Sequence, residues 1–322
     1  MDFCLTITPS SLKKLSLIIL ILAAFTCNAQ RFLNNSDTLN KARRNVIIGG
    51  TSALYAATTF GLQFAWYQQY QNRKFHFFND WPGWQQMDKA GHAATAYQAG
   101  LGLYKINKWG GIDDKKALWW AVGTSYSFQL AVELMDGFSE GWGFSMYDLG
   151  FNTIGSGLLL SQELAWHEQR VQLKFSFTPV NYNQYNPQEQ RRLRNLYGST
   201  IFEQWLKDYN GQTYWLSANI WSLTGKSEKV PKWINVALGY SANNLLGAES
   251  NTWKDPDDET KLLSSNLIPE RQFLLSLDID LSKADLPNYL NWTKSIFGIV
   301  KFPFPALEWN TQRGLRGHIL YF

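Results

Sequence analysis

The spacing of apolar and polar positions changes from helical to alternating near residue 170. Residues 45–67 run without a formal charge, a length that suits either a membrane span or a fully buried helix. Apolar positions at helical spacing then predict three more helices, at about 85–106, 114–136 and 145–167. The first half of the chain is therefore expected to form an apolar bundle of about four helices.

The second half has the period-two alternation that is typical of half-buried strands. The alternating segments are VQLKFSFT, TYWLSANIWSL, WINVALGYSA, QFLLSLDIDL and the terminal RGHILYF. The charged segment 186–208 interrupts them and predicts a surface helix, while the polar, acidic stretch 251–260 predicts a loop. We therefore expect an α+β protein in which a helical bundle is followed by antiparallel β structure.

Two features make a membrane location one alternative for the β-rich half. Aromatic residues form 16% of the chain, and Trp and Tyr suit a membrane–water boundary as well as an aromatic core. The last residues, 316–322, resemble the C-terminal signal of outer-membrane β-barrel proteins, which ends in an aromatic residue. The chain end is thus compatible with an outer-membrane barrel-like arrangement or with an ordinary edge strand.

The N-terminus has the three parts of a signal peptide. Lys13 and Lys14 precede the apolar run 15–25, and Cys27-Asn28-Ala29 offers small residues for cleavage after Ala29. Acylation on Cys27 is the alternative, in a context that Phe25 and Thr26 make poor for a lipoprotein. Both outcomes place the protein in a bacterial-type cell envelope.

Cleavage would leave a chain without thiols and with a mild positive charge. The cysteines of the sequence are Cys4 and Cys27, so disulfides, thiolate metal sites and cysteine nucleophiles are excluded from the mature protein. The formal charge falls to about +3, too mild to indicate nucleic acid as a partner. The predicted divisions are a signal peptide at 1–29, a flexible segment at 30–44, a helical domain at 45–170 and a β-rich region at 171–322.

Polar side chains recur at helical spacing on the apolar helices. Asp88 and His92 lie four residues apart, as do Asp148 and Asn152, and a third helix has polar positions at i, i+4 and i+7. That third set is Gln129, Glu133 and Asp136. Because isolated carboxylates are costly to bury, we expect these side chains to meet at one interior site.

The cluster has three interpretations. His92, Glu133 and Asp136 are the candidates for acid–base catalysis, since an imidazole and carboxylates in apolar surroundings can exchange protons near neutral pH. The same imidazole and carboxylate groups could instead bind a divalent metal ion, and the sequence leaves the cofactor undetermined.

The third interpretation is a structural polar network. In it, Asp88 caps its helix, Asp148 completes a capping box with Ser145, and Lys89 is a surface or interfacial cation.

The motifs MDKAGHAATAY (87–97) and ELMDGFSEGWGFSMYDLGFNTIG (133–155) resemble the YfiM-type family of periplasmic lipoproteins of unknown function. FHFFNDWPGW and KDYNGQTYWLS resemble the longer Bacteroidetes-type members, and the helical motifs are remotely similar to VanZ-like membrane proteins. The resemblance implies that the following are the matching motif positions: Asp88, His92, Glu133, Asp136, Asp148 and Asn152.

These patterns favour a membrane-associated scaffold or accessory protein of the cell envelope. Its expected location is the outer membrane, on the periplasmic face or integral, with the periplasm as the alternative. The expected partners are a membrane and an outer-membrane protein complex, and no nucleic acid. A hydrolase acting on a lipid or cell-wall component and a divalent-metal-binding protein are the alternative functions.

Overall fold

The structure is a computed structural model that describes residues 34–67, 71–286, 294 and 297–322. The predicted signal peptide at 1–29, with Cys4 and Cys27, lies outside the described residues. The division into a segment at 30–44 and regions at 45–170 and 171–322 stays a prediction.

The predicted helices are all present in the first half. They are α1 (Lys41–Leu62), α2 (Met87–Trp109), α3 (Asp114–Gly137) and α4 (Met146–Trp166). The side chains of Asn40, Asp113 and Ser145 cap the starts of α1, α3 and α4, because each accepts a hydrogen bond from the backbone amide three residues further along. Helix α2 packs between α3 and α4, so its polar positions can meet those of both neighbours.

Helix α1 corrects the prediction for residues 45–67. Ile47 is its buried residue, while apolar side chains such as Leu54 and Phe60 are exposed. Among the described residues, no helix combines the length and the apolar character needed to cross a bilayer. The prediction of a fully buried helix is therefore wrong, because most side chains of this helix are exposed.

A glycine lets α2 and α4 approach closely. A Cβ on Gly155 would lie 2.0 Å from the backbone oxygen of Ala93, far inside van der Waals contact. This contact brings the polar positions of α4 within reach of those on α2.

The second half contains a six-stranded antiparallel sheet in the order β1-β2-β3-β6-β7-β8. Its strands are β1 (Val171–Phe177), β2 (Gln212–Asn219), β3 (Ile234–Asn243), β6 (Glu270–Ile279), β7 (Phe304–Asn310) and β8 (Gly314–Tyr321). The predicted α+β class with antiparallel β structure is confirmed. The described strands form an open order, so the barrel-like alternative stays a prediction.

Several local predictions in this half need correction. The stretch 251–260 is part of a hairpin of β4 (Thr252–Asp255) and β5 (Asp258–Ser264) rather than a loop. Strand β7 was not predicted, and β2 gives way at Asn219 to the short helix α7 (Ile220–Leu223). The Asn219 side chain accepts the Ser222 amide hydrogen bond, which ends the strand and caps the helix.

The charged segment 186–208 is helical, as predicted, and forms two helices. They are α5 (Pro187–Tyr197) and α6 (Ile201–Lys207), each beginning with a capping box. Helix α5 is amphipathic, because Leu193 and Tyr197 are buried in an aromatic cluster beneath otherwise polar residues.

The two faces of the sheet have the reverse of the usual polarity. Its buried positions, which we call the inner face, are largely polar; on β6 they include Gln272, Ser276 and Asp278. The alternate positions, which we call the outer face, are apolar and include Phe273 and Leu275 on the same strand. Antiparallel sheets of water-soluble proteins normally bury the apolar set, so this sheet is reversed.

Hydrogen bonds and ion pairs satisfy the inner face. Lys174 of β1 and Asp278 of β6 form an ion pair at 2.7 Å with both side chains fully buried. The Ser217 hydroxyl also donates to Asp278, and the rings of Trp215 and Tyr321 meet at a centroid distance of 6.0 Å. The sheet therefore curls around a polar interior, with β8 reaching over to β2.

The helices pack against the outer face of the sheet at β1. Leu173 contacts the buried cluster of Tyr97, Leu118 and Leu159, and the Gln98 amide donates to the Leu173 carbonyl at 3.1 Å. Two strands away, on β3, the Tyr240 hydroxyl donates to the carbonyl of Gln85, just before α2. These contacts fix the start of α2 beside the sheet.

Candidate functional site

The imidazole of His92 is the centre of a cluster built from three helices. Its Nε2 lies 3.7 Å from Asp88 Oδ1 and 3.7 Å from Asp148 Oδ1. Its Nδ1 lies 3.6 Å from Glu133 Oε1 and 3.2 Å from Asn152 Oδ1. Side chains from α2, α3 and α4 thus surround one imidazole ring.

The remaining two predicted residues differ in position. Gln129 belongs to the cluster, since its amide donates to Asn152 Oδ1 at 3.0 Å. Asp136 lies one helical turn beyond Glu133 and accepts a 2.6 Å hydrogen bond from the Tyr67 hydroxyl. Asp136 is therefore an acidic neighbour of the site rather than a group in contact with His92.

Lys89 corrects the prediction of a surface or interfacial cation. Its side chain is 1% exposed, and its ammonium contacts Asp80 at 2.5 Å, Asp148 at 2.6 Å and Asp88 at 2.9 Å. A buried lysine needs such partners, because an unpaired charge in the interior is costly. Lys89, on α2, therefore links the carboxylate of Asp80 in the preceding loop to that of Asp148 on α4.

The structure also corrects the capping interpretations of Asp88 and Asp148. Gln86 occupies the cap position of α2 without a side-chain hydrogen bond, and Asp88 Oδ1 instead accepts the Tyr209 hydroxyl at 3.1 Å. Ser145 caps α4, but its own amide donates to Glu133 Oε2 at 3.3 Å rather than to Asp148. Neither aspartate side chain therefore caps a helix, and both face Lys89 and His92.

Three residues of the site were missed at the level of sequence. Asp80 follows the aromatic segment FHFFN and accepts the Ser145 hydroxyl at 2.6 Å, while Tyr67 and Tyr209 come from distant parts of the chain. The turn Asp80-Trp81-Pro82-Gly83 marks a loop but gives no sign that Asp80 faces inward. No periodicity connects these residues with the helical motifs, so a pattern of spacing could not find them.

The backbone entering α2 is unusual. Trp84, Gln85 and Gln86 all have positive φ angles, at 51°, 51° and 59°. Non-glycine residues seldom adopt this left-handed region, and such strain persists where the surrounding structure enforces it. The hydrogen bond from Tyr240 to the Gln85 carbonyl is one such contact, and it sets the direction in which Asp88 and Lys89 leave the turn.

Residues 77–161 match a family described as "Predicted periplasmic lipoprotein (DUF2279)". The match covers about a quarter of the chain. Every helical residue of the cluster lies within it, as does Asp80. It supports a location in the cell envelope, while the narrower YfiM-type and VanZ-like resemblances stay predictions. No curated protein and no solved structure matches the chain.

Burial controls the charge state of the two acids on α3. It raises the pKa of Glu133 to about 8, with a further contribution from the charge of Asp136. Burial likewise raises the pKa of Asp136 to about 7, although the hydrogen bond from Tyr67 opposes the shift. Both groups can therefore gain or lose a proton near neutral pH.

The carboxylates around Lys89 form a coupled set. Burial alone would raise the pKa of Asp88, but the charges of His92 and Lys89 lower it overall. Burial and the Asp88 charge raise the pKa of Asp148, whereas its hydrogen bond with Asp80 helps to lower the pKa of Asp80. The pair Asp80 and Asp148 is thus arranged to share one proton.

The raised pKa of Asp136 predicts a pH-dependent stability. The folded protein binds this proton more tightly than the unfolded chain, so the contribution to stability is present below about pH 4 and is lost as the pH rises through about 7. Asp136→Asn keeps the acceptor for Tyr67 and should raise the free energy of unfolding at pH 8 by about 1–2 kcal/mol.

Urea unfolding from pH 4 to 8 measures this effect. The control is Glu259→Gln on the exposed face of β5, for which we expect an unchanged pH profile. Parallel pH profiles of the wild type and Asp136→Asn would contradict the assignment.

Proposed function

We propose that this is an accessory protein of the cell envelope that associates with a membrane through the outer face of its sheet. The proposal rests on the reversed polarity of the two faces of the sheet, with polar side chains inside and apolar ones outside. A sheet whose outer face meets lipid has this arrangement, because hydrocarbon rather than water is the solvent on that side. The family match supports the envelope, and the sheet supports the membrane surface.

A row of leucines crosses the outer face. The strand register places Leu216 opposite Leu238, Leu238 opposite Leu275, and Leu275 opposite Leu307. Three of these, Leu238, Leu275 and Leu307, are 57%, 46% and 53% exposed. The row next to the leucines belongs to the inner face and contains small residues, such as Ala237 opposite Ser276. A continuous leucine row on four neighbouring strands would be costly in water and favourable in lipid.

An aromatic row borders the leucines. Tyr240 lies opposite Phe273, and Phe273 opposite Trp309, with ring centroids 5.4 and 5.5 Å apart. From Phe273 to Ile279 the outer face forms an apolar band of about 20 Å, comparable with bands of about 25 Å on sheets that face lipid. Aromatic side chains at one border of such a band match the polarity of the membrane–water boundary.

The aromatic row also relates the surface to the site. Tyr214 is opposite Tyr240 in the register, and its hydroxyl lies 2.9 Å from the Cβ position of Gly91, between Asp88 and His92 on α2. The Tyr209 hydroxyl reaches Asp88 from the loop before the same strand. In the proposed orientation, the polar cluster lies at the level of the lipid headgroups. An outer-membrane location and a partner complex there are parts of the proposal.

Flotation with vesicles of phosphatidylethanolamine and phosphatidylglycerol in high salt tests the proposal. The full chain carries Cys27→Ser, so that an acyl anchor cannot account for binding. We expect it to float, and the pair Leu238→Glu and Leu275→Glu to shift most of the protein to the unbound fraction, because each charge must leave water to keep the contact.

The control pair is Ser250→Glu with Ser264→Glu, which adds the same charge at exposed positions of the β4–β5 region. It should float like the parent. Recovery of the parent chain in the unbound fraction would overturn the proposal, as would equal flotation of the two variant pairs. The hydrolase alternative stays a prediction about the polar cluster.

A further inference from the structure

Beyond membrane association, we propose that Asp88, His92 and Asp148 bind a divalent transition-metal ion. One ligand atom from each residue lies within 4.8 Å of the other two. The separation of 3.7 Å between His92 Nε2 and each aspartate oxygen is close to the ligand spacing of about 3.4 Å in tetrahedral zinc sites. An ion between them would need only small side-chain movements.

The hydrogen bonds of the imidazole favour this assignment. Asn152 Oδ1 accepts from the Gln129 amide, so His92 Nδ1 must be the donor in its own contact with that oxygen. With Nδ1 as the donor, the neutral form of the ring would direct the lone pair of Nε2 toward the oxygens of Asp88 and Asp148. Metal-binding histidines commonly donate their second ring N–H to such an acceptor, which fixes the ring.

A buried oxygen provides an independent indication of a missing ligand. Glu133 is fully buried, and its Oε1 has no hydrogen-bond partner although it lies 3.6 Å from the imidazole. Buried polar atoms are rarely left without a partner in folded proteins. A ligand or solvent molecule bound beside the imidazole would supply the donor that this oxygen lacks.

The balance of charge also favours a cation. Five carboxylates surround the cluster, and Lys89 is the ammonium that pairs with three of them. The carboxylates are Asp80, Asp88, Glu133, Asp136 and Asp148. A divalent ion would offset the negative charge on those members of the set that are ionised.

Lys89 limits which atoms can serve as ligands. Its ammonium occupies Asp80 Oδ2 and Asp88 Oδ2, which leaves Asp88 Oδ1 facing His92. It also contacts Asp148 Oδ1, the oxygen that lies 3.7 Å from His92 Nε2, so the ion and the ammonium would share this one atom. The resulting donor set is one imidazole nitrogen and two carboxylate oxygens, with a further position open to water. Nitrogen in the set favours Zn²⁺ or Co²⁺ over Mg²⁺.

Calorimetric titration of the full chain with ZnCl₂ tests the proposal. The protein carries Cys4→Ser and Cys27→Ser, so that no thiol competes for the metal. We expect one zinc ion per chain and weaker binding of Mg²⁺. His92→Asn should weaken zinc binding at least tenfold, whereas His167→Asn, at an exposed helix end, should bind as the parent does.

If His92→Asn does not fold, the visible absorption of Co²⁺ bound to the parent protein provides a second test. The parent should develop visible d–d bands of a low-coordinate nitrogen and oxygen site, and zinc should remove them. Asn152→Ala, which changes a positioning residue, should weaken binding by about 10–100-fold. Stoichiometric zinc binding that is unchanged by His92→Asn, or a parent that gives neither a zinc isotherm nor cobalt bands, would overturn the proposal.

Discussion

Gly155→Ala is expected to reduce the free energy of unfolding by about 3 kcal/mol and to disturb the polar cluster. The added methyl group would sit 2.0 Å from the Ala93 backbone oxygen, and neither helix can relieve that contact by a side-chain rotation. The helices must separate instead, which moves Asp148 and Asn152 on α4 away from His92 on α2. Urea unfolding followed by circular dichroism measures the loss.

Gly157→Ala is the matched control. Gly157 lies two residues further along α4, and a Cβ there would meet nothing within 4 Å. Alanine has the higher helix propensity, so this substitution should stabilise the protein by about 0.5–1 kcal/mol. Equal effects of the two substitutions would mean that α2 and α4 are not in close contact in solution.

Lys89→Met is expected to destabilise the protein by about 3–5 kcal/mol at neutral pH, because it removes the ammonium that three carboxylates share. Methionine keeps much of the volume, so the loss comes from charge rather than from a cavity. Protonation of Asp80 and Asp88 in acid should relieve the remaining repulsion, and the loss should shrink as the pH falls toward 4. Thermal unfolding of the wild type and the variant across this pH range provides the comparison.

Lys108→Met removes a lysine from the other end of the same helix. Its ion pair with Asp114 is at the surface, where such pairs contribute less than about 1 kcal/mol. A small effect at Lys108 beside a large one at Lys89 is the expected result. If Lys89→Met were as mild as this control, Lys89 would be a surface cation in solution.

The helices and most strands could be predicted from local patterns, because capping residues and periodicity are properties of neighbouring positions. Ser145 marked the start of α4, and spacing of four placed Asp88 and His92 on one face of α2. The same spacing suggested that three polar faces would meet, and the structure places Glu133 and Asp148 around His92. The chemical role of that cluster stays a prediction.

Lys89 shows why the rest of the site was not predictable. A lysine beside an aspartate on a helix is usually a solvated pair, and only tertiary contacts bury this one. Those contacts come from Asp80, in the turn before the helix, and from Asp148, on α4. Neither has a sequence spacing to Lys89 that a helical pattern could reveal.

The sheet shows a second limit of pattern analysis. Alternation along β6 correctly predicts which residues share a face, but it is the same whether the apolar or the polar set points inward. The usual assumption buries leucines, yet here Asp278 is inside and Leu275 outside. Asp278 pairs with Lys174 across the interior, and alternation along a single strand cannot reveal a pairing between distant strands.

Collision measurements on a single nitroxide label show directly whether the outer face of the sheet meets lipid. With Cys4 and Cys27 replaced by serine, one cysteine is introduced at Leu275 on the outer face, or at Ser264 on the exposed β5 as the reference. In vesicles, the label at Leu275 should collide preferentially with oxygen, which partitions into lipid, and the label at Ser264 with a water-soluble nickel chelate. A label at Leu275 that favours the nickel chelate as strongly as the reference would show that the outer face lies in water, contrary to the proposed function.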